Sequence, residues 1–504
     1  MEYSYITKPC KNLDINTYEQ CSILFSENYG RYSSKSARRS GENIRMSASL
    51  YKKYYADVDG MYVSLCYDEK QNLIGQAFFL RQEIPGKGVC SWVTQLVVHR
   101  FYRKRKIGTR LLHSAWGFSN YYAWGLATAN AITLKTLESV TWRQITVEDM
   151  MKNIDVLKEL MQRIPFADSD KVKVEEGKSQ VFTDFYPEFE SINKDEDLQI
   201  YTSRLGKIDS GYEWLAFTFA SQEIMMSDER FNSFLEFSEQ QLKEAYERMD
   251  MPTQPWTKGT DNELDFIVDH TGLKTDSTVL DLGCGQGRHS IGLAQRGFTA
   301  VDGVDFSQKN VERAKRKAVE KRVFPSIYCA DARKLNLGRT FDVVLCLYDV
   351  IGSFRDMEDN KRILRAIKHH LKKDGKAVVS VMNMTLTEKI AKHRCSLKSQ
   401  PKELLKLKPS DTMARSGNVF DPDYFLLNED DGLVYRKEQF SEDGLLFSEY
   451  LVADKRYKRE DFEKMAQDVG LKVAESRYVS AGNWHNSLEA TNSHAKEILF
   501  VLTN

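Results

Sequence analysis

The chain has 504 residues, with 72 basic and 72 acidic side chains, so its formal net charge is zero. Single hydrophobic cores stop growing near about 250 residues, so the length predicts two or three domains. A neutral chain lacks the positive field that nucleic-acid-binding proteins usually carry, which disfavours nucleic acid as a partner. The content of 41% hydrophobic and 29% charged residues is typical of a folded globular protein and excludes a disordered or fibrous one.

The cysteines and the apolar segments indicate the cellular compartment in which the protein is expected. None of the eight cysteines belongs to a CxxC pair, and Cys346 stands in the apolar run 343–347. This pattern favours reduced, buried thiols, and no metal site is predicted. Residues 1–11 lack a basic stretch followed by an apolar core, and no apolar run approaches the roughly 18 residues of a membrane span. We therefore expect a cytoplasmic protein without a membrane partner.

The sequence of the N-terminal half predicts short strands and helices. The expected strands are apolar and rich in aromatic or β-branched residues, and they cover 61–66, 73–80, 92–98 and 213–219. A helix is predicted over 106–117, and a second helical pattern over 232–249 ends before two prolines. We therefore predict a first domain over 1–165, a connecting segment over 166–245 that completes its sheet or covers the next domain, and a second domain over 246–504.

A strand, a basic turn and a helix follow one another in residues 92–112. Arg103 and Gly108 in this turn resemble the Arg/Gln-x-x-Gly-x-Gly/Ala turn of the GNAT acetyltransferase superfamily. In that family, backbone amides of the turn and the helix dipole hold the pyrophosphate of coenzyme A. The resemblance covers residues 1 to about 146 and implies an α+β fold. It also implies that acetyl-coenzyme A contacts Val97, Val98, Arg103, Gly108, Thr109 and Asn130.

Two positions depart from the GNAT pattern. Lys106 stands where the first glycine is expected, and Leu137 stands where many members carry a tyrosine that acts as general acid. Three interpretations stay open. The domain acetylates an amine, with Tyr121, Tyr122 or water as the acid; it binds acyl-coenzyme A without turnover; or it is a degenerate domain that recognises the acceptor or a partner.

From residue 278 onward, short branched apolar runs alternate with longer helical segments. This alternation is typical of a parallel sheet with crossover helices. The predicted strands cover 278–282, 300–304, 325–329, 341–347 and 377–382. They are followed by a predicted hairpin at 433–437 and 446–451, a helix at 458–469 and a last strand at 497–502.

The first of these strands runs into three glycines at alternating positions. Gly283, Gly285 and Gly287 let the backbone turn and approach a ligand closely, and the following helix directs its amides toward that ligand. Asp281 precedes the loop and suits an ammonium group. Asp305 closes the next strand, where a carboxylate can accept hydrogen bonds from both ribose hydroxyls.

Together with Asp331 and the strand 341–344, these residues resemble the motifs of class I S-adenosylmethionine-dependent methyltransferases. The resemblance implies an α/β, Rossmann-like domain, with Asp331 at the adenine amino group. It places the cofactor at Asp281, Gly283, Gly285, Gly287, Asp305 and Asp331. An NAD-dependent dehydrogenase would carry a wider glycine spacing.

The acceptor side carries a weaker pattern. Methyl transfer requires alignment, exclusion of water and, where needed, proton removal. Ligands of open α/β sheets bind at the carboxyl ends of strands, so the predicted catalytic residues are Tyr348, His289 and Asp349. Further candidates are Asn383, the pair Trp484–His485 in a predicted loop, and Trp256, which either packs internally or covers the cofactor.

The sequence thus predicts an α+β GNAT-like domain followed by an α/β, Rossmann-like class I methyltransferase domain with a hairpin extension. We expect methylation, and also acetylation, of a small amine- or hydroxyl-bearing molecule, with S-adenosylmethionine and acetyl-coenzyme A as donors. One alternative is a protein or RNA methyltransferase whose first domain is a recognition module. Another is a ligand sensor without turnover. No oligomeric state is predicted.

Overall fold

A computed structural model describes residues 3–33, 40–164, 167–186, 195–249, 251–415, 417–442 and 445–504. Its contacts divide the chain into two compact units. The first contains Met1–Phe237 and Phe440–Glu449, and the second contains Ser238–Gln439 and Tyr450–Asn504. The sequence places its boundaries after 165 and 245 instead. The difference arises because three strands that follow residue 165 pair within the sheet of the first unit.

The first unit combines one sheet with several short helices. Its described strands are β1 (Ser4–Pro9), β2 (Met61–Tyr67), β3 (Leu73–Ile84), β4 (Gly88–Val98), β5 (Ala123–Thr128), β6 (Asp168–Glu175), β7 (Lys178–Phe182) and β8 (Tyr212–Phe219). Its helices are α1 (Ile15–Asn28), α2 (Ala48–Tyr51), α3 (Ile107–Trp116), α4 (Ala131–Thr141), α5 (Val147–Lys152), α6 (Ile154–Met161) and α7 (Glu196–Thr202). The unit boundary falls within the next helix, α8 (Asp228–Arg248).

The strand order of the first unit is β1-β2-β3-β4-β5-β8-β7-β6. Strands β4 and β5 run parallel, whereas their outer neighbours pair in antiparallel fashion. The β4–β5 ladder covers Cys90 to Val93, although β4 continues to Val98. A register shift makes Thr94 an extra residue opposite β3, and such a bulge bends a strand. The two parallel strands therefore separate beyond Val93.

The second unit alternates strands and helices. Its described strands are β9 (Thr278–Leu282), β10 (Ala300–Asp305), β11 (Ser326–Cys329), β12 (Phe341–Cys346), β13 (Leu371–Met382), β14 (His393–Cys395), β15 (Leu426–Asn428), β16 (Leu433–Glu442), β17 (Leu445–Lys455), β18 (Lys472–Ser480), β19 (Asn483–Leu488) and β20 (Glu497–Thr503). The unit boundaries fall within β16 and β17, whose facing ends belong to the first unit. Its helices are α9 (Thr260–Thr271), α10 (Arg288–Gln295), α11 (Gln308–Glu320), α12 (Met357–His370), α13 (Met384–Ile390), α14 (Gln400–Lys406), α15 (Thr412–Arg415) and α16 (Arg459–Asp468). Across the described ranges, no helix has both the length and the apolar character needed to cross a membrane.

The main sheet of the second unit has the order β11-β10-β9-β12-β13-β20-β18-β19, and β14 to β17 form a smaller sheet. Strands β9 to β13 are parallel, and β20 is antiparallel to β13. The sheet core contains Leu280, Val344, Val379 and Phe500, each at most 1% exposed. Burying such a side chain stabilises the fold by about 1.5–3 kcal/mol. The ends of β9, β10, β12 and β13 therefore share one edge with the beginning of β20.

Candidate active site

The loop between β9 and α10 holds the three predicted glycines in left-handed backbone conformations. Gly283, Gly285 and Gly287 have φ values of 82°, 55° and 81°, which L-amino acids with a side chain adopt at a cost. A Cβ atom on Gly283 would lie 2.3 Å from Cγ2 of Val350. A Cβ atom on Gly287 would lie 3.1 Å from that of Ala314. The loop therefore has no room for a side chain at Gly283 and would fit one at Gly287 only if its neighbours shifted.

Two carboxylates that are predicted to bind the cofactor also hold this loop in place. Oδ2 of Asp281 accepts hydrogen bonds from the backbone N–H and the hydroxyl of Ser290, at 3.2 and 2.6 Å. Asp305 accepts hydrogen bonds from the backbone N–H groups of Gly285 and Ser307, both at 2.9 Å. Burial raises the pKa of Asp305 to about 6, and these two amides act against that rise. Both carboxyls thus fix the loop geometry as well as lining the site.

Asp331 follows β11 and is paired within its own segment. Its carboxylate accepts hydrogen bonds from the backbone N–H of Arg333 at 2.9 Å and from the guanidinium at 2.7 Å. The same arginine also pairs with Asp359 at 2.7 Å. Burial opposes ionisation of Asp331, but the hydrogen bonds from Arg333 lower its pKa. An adenine amino group would therefore share this carboxylate with Arg333.

A cavity of about 1050 Å³ lies within the second unit, at the edge where the parallel strands end. Ligand pockets usually measure about 300–1,000 Å³, so this cavity has room for a nucleotide-sized ligand and a second molecule. Most of the predicted site residues line it, namely Asp281, Gly283, Gly285, Asp305, Asp331, His289, Tyr348 and Asp349. Gly287 and Asn383 stand outside its wall.

The predicted catalytic residues Tyr348 and His289 meet on a side chain that the sequence does not single out. Glu263, on α9, is fully buried and accepts hydrogen bonds from the Tyr348 hydroxyl, the Arg288 guanidinium and, at 2.7 Å, Nε2 of His289. The backbone N–H of Gly482 donates to it at 3.0 Å. Burial opposes ionisation of Glu263, but His289 and Arg288 lower its pKa to about 2. The carboxylate therefore remains charged and anchors its four partners.

Tyr348 is held from several sides. Its φ of 61° lies in the left-handed region, a strained conformation that clusters at functional sites. Its ring lies 4.9 Å from that of Trp256, and the guanidinium of Arg288 stands 4.5 Å from its centre. Burial raises the pKa of Tyr348 well above the ordinary value. The hydroxyl therefore stays protonated and donates to Glu263, so Tyr348 forms a fixed aromatic wall together with Trp256.

Asp349, the third predicted catalytic residue, is paired with a tyrosine. Its Oδ2 accepts a hydrogen bond from the Tyr246 hydroxyl at 2.7 Å, and both residues line the cavity. Burial raises the pKa of Asp349. This carboxyl therefore faces the cavity with one of its oxygens already engaged.

Glu497 lines the same cavity and is absent from the sequence-based candidates. It is the first residue of β20 and is 6% exposed. Its Oε2 has no hydrogen-bond partner among the described residues. Burial, together with the charge of Glu263, raises its pKa to about 8. Because β20 runs antiparallel to β13, its first residue reaches the active edge. A charged residue directly before the apolar run 498–502 is the sequence signal that would have indicated it.

The remaining acceptor candidates serve the fold. Asn383 is fully buried, caps α13 and donates to two backbone carbonyls at 2.8 and 2.7 Å. The pair Trp484–His485 is predicted in a loop, but it belongs to β19. Trp484 is fully buried against Phe266, with ring centres 5.9 Å apart, and His485 is exposed. The loop prediction is therefore wrong because this segment joins the edge of the sheet.

The residues predicted to hold acetyl-coenzyme A make contacts within the first unit. The guanidinium of Arg103 donates to the carbonyls of Val98, at 3.2 Å, and of Asn28. Asn130 caps the first turn of α4. Lys106, at the expected glycine position, has a left-handed φ of 59°. The turn therefore adopts a glycine-like conformation without a glycine, and its arginine is engaged by the backbone.

The other residues predicted to contact acetyl-coenzyme A lie on β4 and α3. Val97 is buried, and Gly108 and Thr109 stand in the first turn of α3. Leu137, at the expected tyrosine position, is fully buried on α4. Tyr122, a candidate acid, donates its hydroxyl proton to Asn153.

Comparison with known proteins bears on the second unit. Residues 279–375 match a family described as a methyltransferase domain. The ubiquinone biosynthesis O-methyltransferase of Rickettsia felis is 30% identical over 122 residues, which make up 24% of this chain and 48% of that protein. The cypemycin N-terminal methyltransferase of a Streptomyces species is 36% identical over 100 residues, 20% of this chain and 40% of that protein. The chain thus spans half or less of the length of these relatives.

Among solved structures, an S-adenosylmethionine-dependent methyltransferase from Clostridium acetobutylicum aligns with 54% of this chain and 98% of its own, at 21% identity and a TM-score of 0.35. The family match agrees with the glycine loop and with the parallel sheet around it. Residues 279–375 therefore belong to a class I S-adenosylmethionine-dependent methyltransferase domain.

Proposed function

We propose that the protein transfers a methyl group from S-adenosylmethionine to a small molecule bound in the cavity of the second unit. The observation that carries this proposal is the position of the glycine loop. Gly283, Gly285 and Asp305 line the same cavity as Tyr348 and Trp256. A cofactor at the loop would thus face an acceptor in the same enclosed space.

The residues of the loop fit such a cofactor. A Cβ atom on Gly283 would collide with Val350, so the backbone at this turn is bare. Asp305 ends β10 and turns its carboxyl toward the cavity, where it would accept hydrogen bonds from ribose hydroxyls. When bound, S-adenosylmethionine supplies a methyl group on a positively charged sulfur. The role of the protein is to hold both molecules in line and to exclude water.

The wall of the cavity supports a small-molecule acceptor. Met382, Met413 and Phe420 line it, and each is at most 7% exposed. Apolar walls with a few placed polar groups are typical of small-ligand sites. The zero net charge of the chain also offers no long-range attraction to RNA. A small acceptor is therefore favoured over a macromolecular one.

Calorimetric titration with S-adenosylhomocysteine tests this proposal without knowledge of the acceptor. We expect the wild-type protein to bind it. In the Asp305→Asn variant, an amide nitrogen replaces a carboxylate oxygen that accepts a hydrogen bond from a backbone N–H group. This variant should bind S-adenosylhomocysteine about 2 kcal/mol more weakly, roughly a thirtyfold drop in affinity. Asp302→Asn is the matched control, because Asp302 lies on the same strand and pairs with Arg339 away from the cavity. Equal affinities of both variants would refute the site.

A second function is supported by the topology of the first unit, and we propose that this unit binds acyl-coenzyme A. Its parallel strands β4 and β5 separate after Val93. The helix α3 begins at Ile107, shortly after the end of β4, and its first N–H groups are available to a pyrophosphate. Because Arg103 is bound to carbonyl groups, the backbone rather than this guanidinium would carry the contact.

Titration with acetyl-coenzyme A tests the second function, and S-adenosylhomocysteine serves as a positive control in the same preparation. Binding of acetyl-coenzyme A would support an acyl-carrier site in the first unit. Absence of binding, while S-adenosylhomocysteine still binds, would leave this unit as a recognition domain.

A further inference from the structure

One part of the cavity contains a buried carboxyl that the glycine-loop site does not use. Glu497 is only 6% exposed and lines the cavity. It pairs with Met382 in the β13–β20 ladder. Its Oε2 has no hydrogen-bond partner in the described part of the chain. An unsatisfied buried carboxyl oxygen is costly, and such groups are retained where a ligand completes them.

Three basic side chains that line the cavity have partners of their own. Arg288 is paired with Glu263. Arg436 is paired with Asp454 and, at 3.0 Å, with Glu438. Nζ of Lys496 donates to Oδ1 of Asn418 at 2.7 Å. Among the ion pairs of the described residues, none involves Glu497, and the charges of Lys496 and Arg288 act on it only from beyond ion-pair distance.

The groups that face Glu497 favour a cation. Burial raises the pKa of Glu497 most, and the charges of Glu263 on α9 and Asp349 after β12 raise it further. A hydrogen bond with Ser380 on β13 and the charge of Arg288 on α10 lower it, and Lys496 also attracts the carboxylate. Trp256 and Tyr348 also line the cavity, and the guanidinium of Arg288 lies over both rings, 5.2 and 4.5 Å from their centres, as expected for aromatic rings that attract cations. A phenolate or an alkoxide would instead meet carboxyl groups of like charge.

We propose that the acceptor is an amine that enters as an ammonium ion, and that Glu497 binds this ion and removes its proton. The inference rests on the methyl-transfer function proposed above and names its substrate class. Binding of the cation shifts Glu497 to the carboxylate, and the proton of the carboxyl leaves to solvent. A proton then passes from the ammonium nitrogen to a carboxylate oxygen of Glu497, and the free nitrogen lone pair becomes the nucleophile. The N–C bond forms as the bond from the methyl carbon to sulfur breaks, leaving a methylammonium product and an uncharged thioether.

This assignment predicts proton release when the amine binds. At pH 7 the Glu497 carboxyl is protonated in the absence of a cation, since its pKa is about 8. An ammonium ion beside it favours the carboxylate, so binding should release about one proton. An uncharged alcohol of the same carbon skeleton should release none. Proton release is measured independently of turnover, by calorimetry at one pH in buffers of different ionisation enthalpy.

The experiment uses the full chain saturated with S-adenosylhomocysteine and titrates it with six arylalkyl- and alkylamines, beginning with 2-phenylethylamine, and with the six matching alcohols. We expect amines of this panel to bind at least tenfold more tightly than their alcohols, with release of about one proton. The Glu497→Gln variant should lose both the preference and the proton release. It should fold, because glutamine is isosteric with the protonated carboxyl. Glu489→Gln, at an exposed position outside the cavity, should behave as the wild type.

Three results would overturn the assignment while S-adenosylhomocysteine binding remains intact. These are equal binding of amines and alcohols, no preferred amine in the panel, or an unchanged preference in Glu497→Gln. Glu497→Asp provides a second check, since the shorter carboxylate should retain part of the preference. Loss of S-adenosylhomocysteine binding by the wild-type protein would instead refute the methyl-transfer function itself.

Discussion

The two units each contain a strand, a left-handed loop and a helix with a buried histidine, but they differ in how these parts are made. In the second unit, glycines occupy the left-handed positions, and His289 on α10 is hydrogen-bonded to Glu263. In the first unit, Lys104 and Lys106 occupy such positions with φ of 63° and 59°. Neither ring nitrogen of His113 on α3 has a hydrogen-bond partner in the described chain.

The difference shows that a loop conformation alone does not make a ligand site. Gly283 leaves its backbone bare because a side chain would collide with Val350. The lysine-containing loop forms a similar turn at a conformational cost, and its neighbour Arg103 is bound to carbonyl groups. Substitutions in the two segments test how far this contrast holds.

The largest effect is expected from adding a methyl group at matched glycines of the two segments. Gly283→Ala should abolish S-adenosylhomocysteine binding and destabilise the second unit, because its Cβ atom would lie 2.3 Å from Val350 at a φ of 82°. Gly108→Ala should change the free energy of unfolding by less than about 1 kcal/mol, because its Cβ atom would meet Val98 at an ordinary 3.8 Å. Titration and urea denaturation measure both. A Gly283→Ala protein that still binds the ligand would remove the contrast.

A smaller effect is expected at His113, whose pKa burial lowers to about 3. Because the unfolded value is about 6.5, the unfolded state binds more protons below pH 6.5, and stability falls as the pH falls toward 3. At pH 5 the wild type should therefore lose about 2 kcal/mol relative to pH 7, at 1.36 kcal/mol per pH unit. His113→Leu should not show this loss, and urea denaturation at both pH values measures the difference.

A matched control for His113 is His393→Leu, because His393 is exposed on β14. This variant should keep the acid sensitivity of the wild type. If His113→Leu and the wild type lose the same stability between pH 7 and pH 5, the ring of His113 is not the source of that loss.

The smallest effect is expected at Lys104, an exposed residue whose backbone has a left-handed conformation. Lys104→Gly should raise the free energy of unfolding of the first unit by about 1 kcal/mol, because glycine adopts this φ without steric cost. Lys70→Gly, in an exposed turn without positive φ, should instead be neutral or slightly destabilising. Thermal unfolding followed by circular dichroism compares the two, and equal shifts would show that the left-handed lysine carries no strain.

Much of the second unit was predictable because its strands are buried on both faces. The predicted strand at 278–282 coincides with β9, and the one at 341–347 exceeds β12 by one residue. The predicted helix at 458–469 contains α16 with one extra residue at each end. Continuous apolar runs and terminal glycines mark such elements within the sequence itself.

The elements that the sequence did not indicate depend on pairing across the chain. Strand β6 has no buried residue and reads as a polar loop, yet it pairs with β7 at the edge of the first sheet. Among the site residues, Glu263 stands in an ordinary amphipathic helix, so its partners appear only after folding. Glu497 was also missed, because the antiparallel direction of β20 is what brings it to the active edge.

The hydrogen bonds of Glu263 have a consequence for the order of folding. They join it to residues 25, 85 and 219 positions further along the chain, at Arg288, Tyr348 and Gly482. Closing loops of such length is slow because their entropy must be lost before the contacts form. We therefore expect the aromatic wall at Tyr348 to acquire its final geometry late in folding. On the ribosome, it would do so only after residue 482 has emerged from the exit tunnel.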